Sequence, residues 1–135
     1  MKLSEYIVKL RIATRSATMC ENVSGKNKNT LSLKTKILFL LRNKPLSPSD
    51  FMSILQLSKT NLAILMKSMV EEDLVIKTRN NADKREITYK ITDAGIKYLD
   101  ERLEIIESCA KTLGEDYDSA IQKLREALSV LEFII

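Results

Sequence analysis

Histidine is absent from this chain of 135 residues. That gap removes the commonest general base, the commonest metal ligand and the usual partner of a nucleophilic serine or cysteine. Cysteine is nearly absent as well: Cys20 and Cys109 stand far apart with no C-x-x-C spacing. A structural zinc site would therefore lack ligands, and no disulfide framework is set out. Tryptophan is missing and aromatics make up 5% of the residues, so the core must be aliphatic. Three glycines and two prolines leave few places to turn, which favours long helices. No apolar run approaches the roughly 20 residues of a membrane-spanning helix, and charges recur throughout the opening segment. Neither secretion nor membrane insertion is expected, and two isolated thiols suit a reducing cytoplasm. With no phosphate-binding glycine loop and no metal cluster either, neither an enzyme nor a cofactor is expected.

What is present is apolar residue in quantity and charge of uneven distribution. Apolar residues reach 44%, enough for a real core in one domain. The net charge of +4 conceals a polarity: residues 1–90 carry 17 Lys/Arg against 8 Asp/Glu, whereas residues 91–135 carry 5 against 10. A basic front and an acidic back suit a surface for a polyanion that is excluded from the other end.

The stretch from Leu46 to Gly95 organises the rest. Ser47-Pro48-Ser49-Asp50 reads as a helix start, with Ser47 as cap, Pro48 in the first position and Asp50 where the acid of a capping box belongs. Phe51, Ile54 and Leu55 supply that helix with an apolar stripe. Ser58 is a second cap, after which Leu62, Leu65, Met66 and Met69 recur at helical spacing. Two helices joined by so short a turn must cross steeply, as in a helix-turn-helix. The second helix keeps Lys59, Thr60, Asn61, Ile64, Lys67 and Ser68 off its buried stripe, a polar face with cations and no acid. Leu74–Arg79 and Glu86–Ile91 alternate as strands, joined by the polar loop Asn80-Asn81-Ala82-Asp83-Lys84-Arg85. A two-stranded hairpin beside a helix-turn-helix is a wing, and it must lean on helices to be stable.

Amphipathic helices flank this lobe. Leu3, Tyr6, Ile7, Leu10, Ala13 and Ala17 share one face of an N-terminal helix, followed by a polar linker over residues 21–30. Leu33, Ile37, Leu38, Leu40 and Leu41 build a largely buried helix that Pro45 should end, ringed by Lys26, Lys28, Lys34, Lys36, Arg42 and Lys44. Thr92 caps a long helix with Ile96, Leu99, Leu103, Ile106, Ala110 and Leu113 on its seam, ended by Gly114. The last helix places Tyr117, Ile121, Leu124, Leu128, Leu131 and Ile135 at heptad spacing. Leaving that seam wet would be costly, since burying one Leu or Ile is worth about 1.5–3 kcal/mol. The expected fold is thus mainly α with a small two-stranded β wing. Residues 31–91 form the winged helix-turn-helix lobe, and residues 1–30 and 92–135 form dimerisation helices within one continuous domain. The expected dimer interface comprises Leu3, Tyr6, Ile7, Leu10, Tyr117, Ile121, Leu124, Leu128, Leu131 and Ile135.

Three motifs in order make the chain similar to the MarR (multiple antibiotic resistance regulator) family. Leu46 through Asn61 resembles that family's helix-turn-helix, Asp83-Lys84-Arg85 its D-x-R wing signature, and Thr92-Asp93-Ala94-Gly95 its T-x-x-G helix start. Gln56 and Asp73 depart from it, standing where glycine is common. The resemblance implies a homodimeric, sequence-specific DNA-binding transcription regulator, a repressor by expectation, on an inverted-repeat operator. One recognition helix would enter each major groove and a wing each flanking minor groove, with Arg85 as the inserted wing arginine and Asp83 as its brace. It also implies a small-molecule effector between the dimer helices and the lobe, for which no convergent polar set stands out.

On this reading Lys59 and Thr60 meet phosphate at the helix start, Asn61 is suited to adenine and Ile64 to a thymine methyl. Lys67, Lys77, Arg79 and Lys84 serve phosphates, and Ser47, Ser49 and Ser58 complete the contact set. The plainer alternatives are a solvated helix face and a partnerless basic hairpin. The lysines of residues 26–44 either flank the DNA backbone or keep an apolar helix soluble. Cys20 is either an oxidant-sensing thiol or, more in keeping with its type, a buried small apolar side chain. Met66 and Met69 read as core fillers. A second function class uses the same surface otherwise: a winged-helix protein-interaction module binding an acidic protein partner.

Overall fold

The computed structural model describes residues 2–6, 8–9, 32–79 and 86–134, with the side chains of 109, 110, 112, 113, 115 and 131–134 excepted. The expectations placed on Ile7, Leu10, Cys20, the linker at 21–30, the wing tip with Asp83, Lys84 and Arg85, and Ile135 fall outside these residues. So do those on the side chains of Cys109, Ala110, Leu113 and Leu131. The elements run α1 (Leu33–Leu41), α2 (Pro48–Leu55), α3 (Lys59–Glu71), β1 (Val75–Arg79), β2 (Ile87–Ile91) and α4 (Asp93–Ala110). A 3-10 turn (Lys111–Asp116) and α5 (Tyr117–Ile134) follow. Residues 3–6 and 8–9 are helical. The chain divides into two compact units, residues 29–105 and residues 1–28 with 106–135.

In the first unit, a core of Ile37, Leu38, Leu41, Leu46, Phe51, Leu62, Met66, Met69, Leu74, Val75, Tyr89 and Leu99 is buried. It is aliphatic apart from one ring pair, Phe51 against Tyr89, with centroids 6.4 Å apart and planes tilted by 54°. Met66 and Met69 fill it as expected. Two expectations need correcting. Pro45 does not set the end of α1, which closes at Leu41 with Arg42 as its cap, the Arg42 N–H donating to the Leu38 carbonyl. Proline disfavours helical geometry in the residue before it, and here the chain leaves the helix well ahead of that position. In α2, Ile54 is 53% exposed; the stripe that packs on the core is Phe51, Met52 and Leu55.

The hairpin pairs β1 and β2 antiparallel, with Val75 opposite Ile91, Lys77 opposite Tyr89 and Arg79 opposite Ile87. On its other face the Thr78 and Thr88 hydroxyls meet at 2.7 Å. A single residue acts as a third strand: the Leu46 N–H donates to the Tyr89 carbonyl at 3.2 Å, and the Tyr89 N–H to the Leu46 carbonyl at 2.8 Å. The hairpin is thereby stitched to the chain one residue ahead of the Ser47 cap of α2.

The backbones of α3, β1 and α4 meet at a close joint. α3 ends in a Schellman motif, the Leu74 N–H reaching the Met69 carbonyl and the Asp73 N–H the Val70 carbonyl, each at 3.0 Å. Asp73 takes the left-handed conformation with φ 61°, as does Gln56 at the end of α2 with φ 56°, a conformation that glycine adopts most easily. Thr92 then ties the turn to α4. Its hydroxyl donates to the Asp73 carbonyl at 2.6 Å and accepts the Gly95 N–H at 3.0 Å, while its own N–H donates to the Leu74 carbonyl at 3.1 Å. Gly95 lies so close that a Cβ built on it would stand 2.2 Å from the Leu74 carbonyl oxygen. The T-x-x-G pattern is therefore a cap plus a backbone contact that no side chain can enter.

In the second unit, Gly114 (φ 64°, ψ −126°) breaks the helical path, and the Tyr117 hydroxyl hydrogen-bonds Glu107 across the break. Ile121, Leu124, Leu128 and Val130 are exposed along α5, as are Leu3, Tyr6 and Val8 near the other terminus.

Candidate nucleic-acid interface

The face in question is carried by α3. Ser58 caps it through its side chain, which accepts the Asn61 N–H at 3.2 Å, and Leu62, Met66 and Met69 anchor it to the core. Helical spacing then leaves Lys59, Thr60, Asn61, Ile64 and Lys67 exposed together. Ile64 is an apolar residue left 66% exposed on this face. Among the described residues Lys59 and Lys67 have no acidic partner. The N-terminal turn of α3 thus presents a cation, a hydroxyl and an amide (Lys59, Thr60 and Asn61) at the positive end of the helix dipole, with Lys67 two turns on.

The expected contact residues divide by what already holds them. Ser47 and Ser58 are committed as caps: the Ser47 N–H and hydroxyl both donate to Asp50 Oδ2 at 2.9 Å, and the Asp50 N–H returns to Ser47 Oγ at 3.3 Å. Ser49 is 3.0 Å from the Ser47 hydroxyl. Ser68 also leaves the exposed face; it is half-buried and donates to Glu72 at 3.1 Å. Lys77 and Arg79 alternate on one face of β1 and are exposed, running toward the tip that would carry Lys84 and Arg85. The structure brings Lys59, Thr60, Asn61, Ile64 and Lys67 together on α3, and Lys77 with Arg79 on the hairpin.

The sequence reading missed the role of Glu72. It forms an ion pair with Lys34, 38 positions away, through both carboxylate oxygens. The only local hint is an acid at the end of a helix, where the dipole disfavours it unless a cation answers.

Two carboxyls are held below the ordinary carboxylate range, Asp50 by the Ser47 N–H and hydroxyl, and Glu72 by the Lys34 ammonium. Burial pushes the Tyr89 phenol up. A carboxyl whose folded pKa is depressed contributes stability that is present above its unfolded pKa and lost as pH falls through the folded one. Since no histidine titrates near neutrality, Tm should be flat from about pH 5.5 to 7.5 and fall below about pH 4.5. Differential scanning calorimetry across this range checks it. Asp50→Asn should shallow the acid limb, and a decline beginning near pH 6 would contradict the assignment.

Among the described residues no three His, Cys, Asp or Glu side chains are grouped to hold a metal, and no helix is long and apolar enough to cross a membrane.

Comparison with known proteins places this geometry. Residues 37–86 match the model described as MarR family. No curated protein matches the chain by sequence. Among solved structures, a point mutant of MarR from E. coli superposes with a TM-score of 0.68 at 17% identity, covering 95% of this chain and 96% of that one. The transcriptional regulator BldR from Sulfolobus solfataricus gives 0.66 at 20% identity over 96% and 99%. A point mutant of S. aureus MepR bound to an oligodeoxyribonucleotide gives 0.59 at 17% identity over 97% and 99%. At these identities the likeness is one of fold.

Proposed function

We propose that this chain, whose residues 37–86 match the model described as MarR family, is a winged-helix repressor that binds an inverted-repeat duplex as a homodimer. The observation that carries the reading is the exposed, acid-free face of α3, Lys59, Thr60, Asn61, Ile64 and Lys67, with Lys77 and Arg79 on the adjoining hairpin. Lys59 and Thr60 meet phosphate at the helix start, Asn61 and Ile64 face base edges in the major groove, and Lys67 steadies the helix along the backbone. The hairpin extends toward the flanking minor groove, where Arg85 enters and Asp83 braces it. The exposed apolar residues of the terminal helices join two copies, so that two such faces meet one duplex. The same reading puts the protein in the cytoplasm, with catalysis no part of its work and a small-molecule effector as a further partner.

Fluorescence anisotropy with a labelled inverted-repeat duplex from upstream of its own coding region, titrated with salt and competed with scrambled duplex, tests this. Affinity should fall steeply with salt as counterions are released, and scrambled duplex should compete poorly. Arg85→Ala should weaken binding about tenfold or more, the scale of a lost charge-assisted contact, with an unchanged melting curve. Equal competition by the scrambled duplex would remove the sequence-specific reading. Binding to an acidic protein but to no duplex at low salt would replace it with a protein-interaction role.

A further inference from the structure

Glu71, Glu72 and Asp73 close α3 with three acids, at the end where the helix dipole disfavours them. Glu72 is held in place. The Lys34 ammonium donates to its two carboxylate oxygens at 2.9 and 2.8 Å, and the Ser68 hydroxyl, one turn back on α3, donates to Oε1 at 3.1 Å. Lys34 itself lies 5.6 Å from the centroid of the Tyr98 ring, and the Arg102 guanidinium lies 4.7 Å from the same ring, both within cation–π range. One lysine at the start of α1 thus touches the C-terminal end of α3 and the first turns of α4. Glu72 is also the C-cap of α3, its N–H donating to the Ser68 carbonyl, and the left-handed Asp73 follows directly. The side chain that Lys34 grips is therefore attached to the residue on which the Schellman turn hinges.

Taking the DNA-binding reading above as given, we propose that Lys34 is a positioning residue for DNA binding, fixing the C-terminal end of α3 against α1 and α4 and neutralising Glu72 without touching the duplex. The recognition helix has its cap and Lys59 at its N-terminal end, so its angle in a groove depends on what holds the far end. With side-chain exposures of 24% and 43%, the pair is too open to add much to global stability. Its effect is on orientation and on local charge. Without Lys34, a full negative charge stands near the phosphates and the turn after α3 loosens.

Four variants of the full chain decide this: Lys34→Met, Glu72→Gln, the two combined, and Lys34→Arg. Each is measured by amide hydrogen exchange over residues 68–74, and by anisotropy against a duplex that the wild-type protein selects from a random-sequence pool. Lys34→Met should speed exchange at Glu72, Asp73 and Leu74 several-fold and weaken the duplex about fivefold, an interaction of the size expected for coupled neighbours. Its Tm should stay within about 3 °C of wild type. Lys34→Arg should behave as wild type. Glu72→Gln, which breaks the clamp but keeps the lysine, should speed the same exchange and also weaken the duplex, and the double variant should lose no more than Lys34→Met. A Glu72→Gln variant that binds as tightly as wild type while Lys34→Met does not would make Lys34 a direct phosphate contact and overturn the proposal, as would unchanged exchange in Lys34→Met. A wild-type chain that selects no duplex defeats the DNA-binding reading and the purpose assigned to Lys34, while the exchange rates still report whether the clamp exists.

Discussion

Replacing Gly95 by alanine should destabilise the protein by about 3 kcal/mol or more, the upper range for forcing an extra carbon into a packed joint. The Cβ would stand 2.2 Å from the Leu74 carbonyl oxygen and 2.8 Å from Ile91 Cγ1. The first of these is backbone, which cannot rotate away. Relief requires α4 to withdraw from the turn after α3, and that breaks the Thr92 hydrogen bonds to Asp73 and Leu74. A fall in Tm of roughly 10 °C is expected for a chain of this size, with Lys97→Ala, on the exposed side of the same helix, as an unaffected control. Because the joint carries both α3 and β1, the residual folded fraction should also bind duplex more weakly. A melting temperature within a few degrees of wild type would mean that α4 is not held to Leu74 as described.

Changing Leu124 and Leu128 to aspartate together should have the largest functional effect. In one copy they are 60% and 55% exposed, so the substitution removes little buried area within the chain and should leave its own fold intact. Between two copies the same side chains would be buried. At about 1.5–3 kcal/mol per leucine, losing four of them across a symmetric interface is enough to dissociate a typical dimer. Sedimentation equilibrium should then report 15.4 kDa where wild type reports twice that. Duplex affinity should fall by about a hundredfold or more, because two linked half-site contacts become one. A wild-type chain that sediments at the single-copy mass under the same conditions would remove the interface and the two-half-site geometry with it.

Local chemistry was legible before any coordinates. Ser47, Pro48 and Asp50 announce a capping box, Ser58 a second cap, and Thr92 with Gly95 a helix start, because each needs only partners within three or four residues. Helical spacing likewise identified Leu62, Met66 and Met69 as buried. What escaped depends on partners far along the chain. The Leu46 bridge to Tyr89 is a single residue, and one residue has no period to read. The Lys34–Glu72 pair joins positions 38 apart, among 22 Lys and Arg that could each have answered that acid. Ile54 was misplaced because α2 is short: in eight residues several stripes fit, and the neighbours α3 and β2 decide which faces inward.

The Leu46 stitch has a consequence for which polymers the proposed surface can accept. It couples the hairpin to the residue that precedes the cap of α2, so the ribbon and the helix pair cannot pivot separately to suit a different spacing. They act as a calliper with a fixed span. B-form DNA offers a wide major groove beside a narrow minor one, whereas double-stranded RNA has a deep, narrow major groove that side chains cannot enter. Such a calliper would reject RNA by shape alone, before any base edge is read.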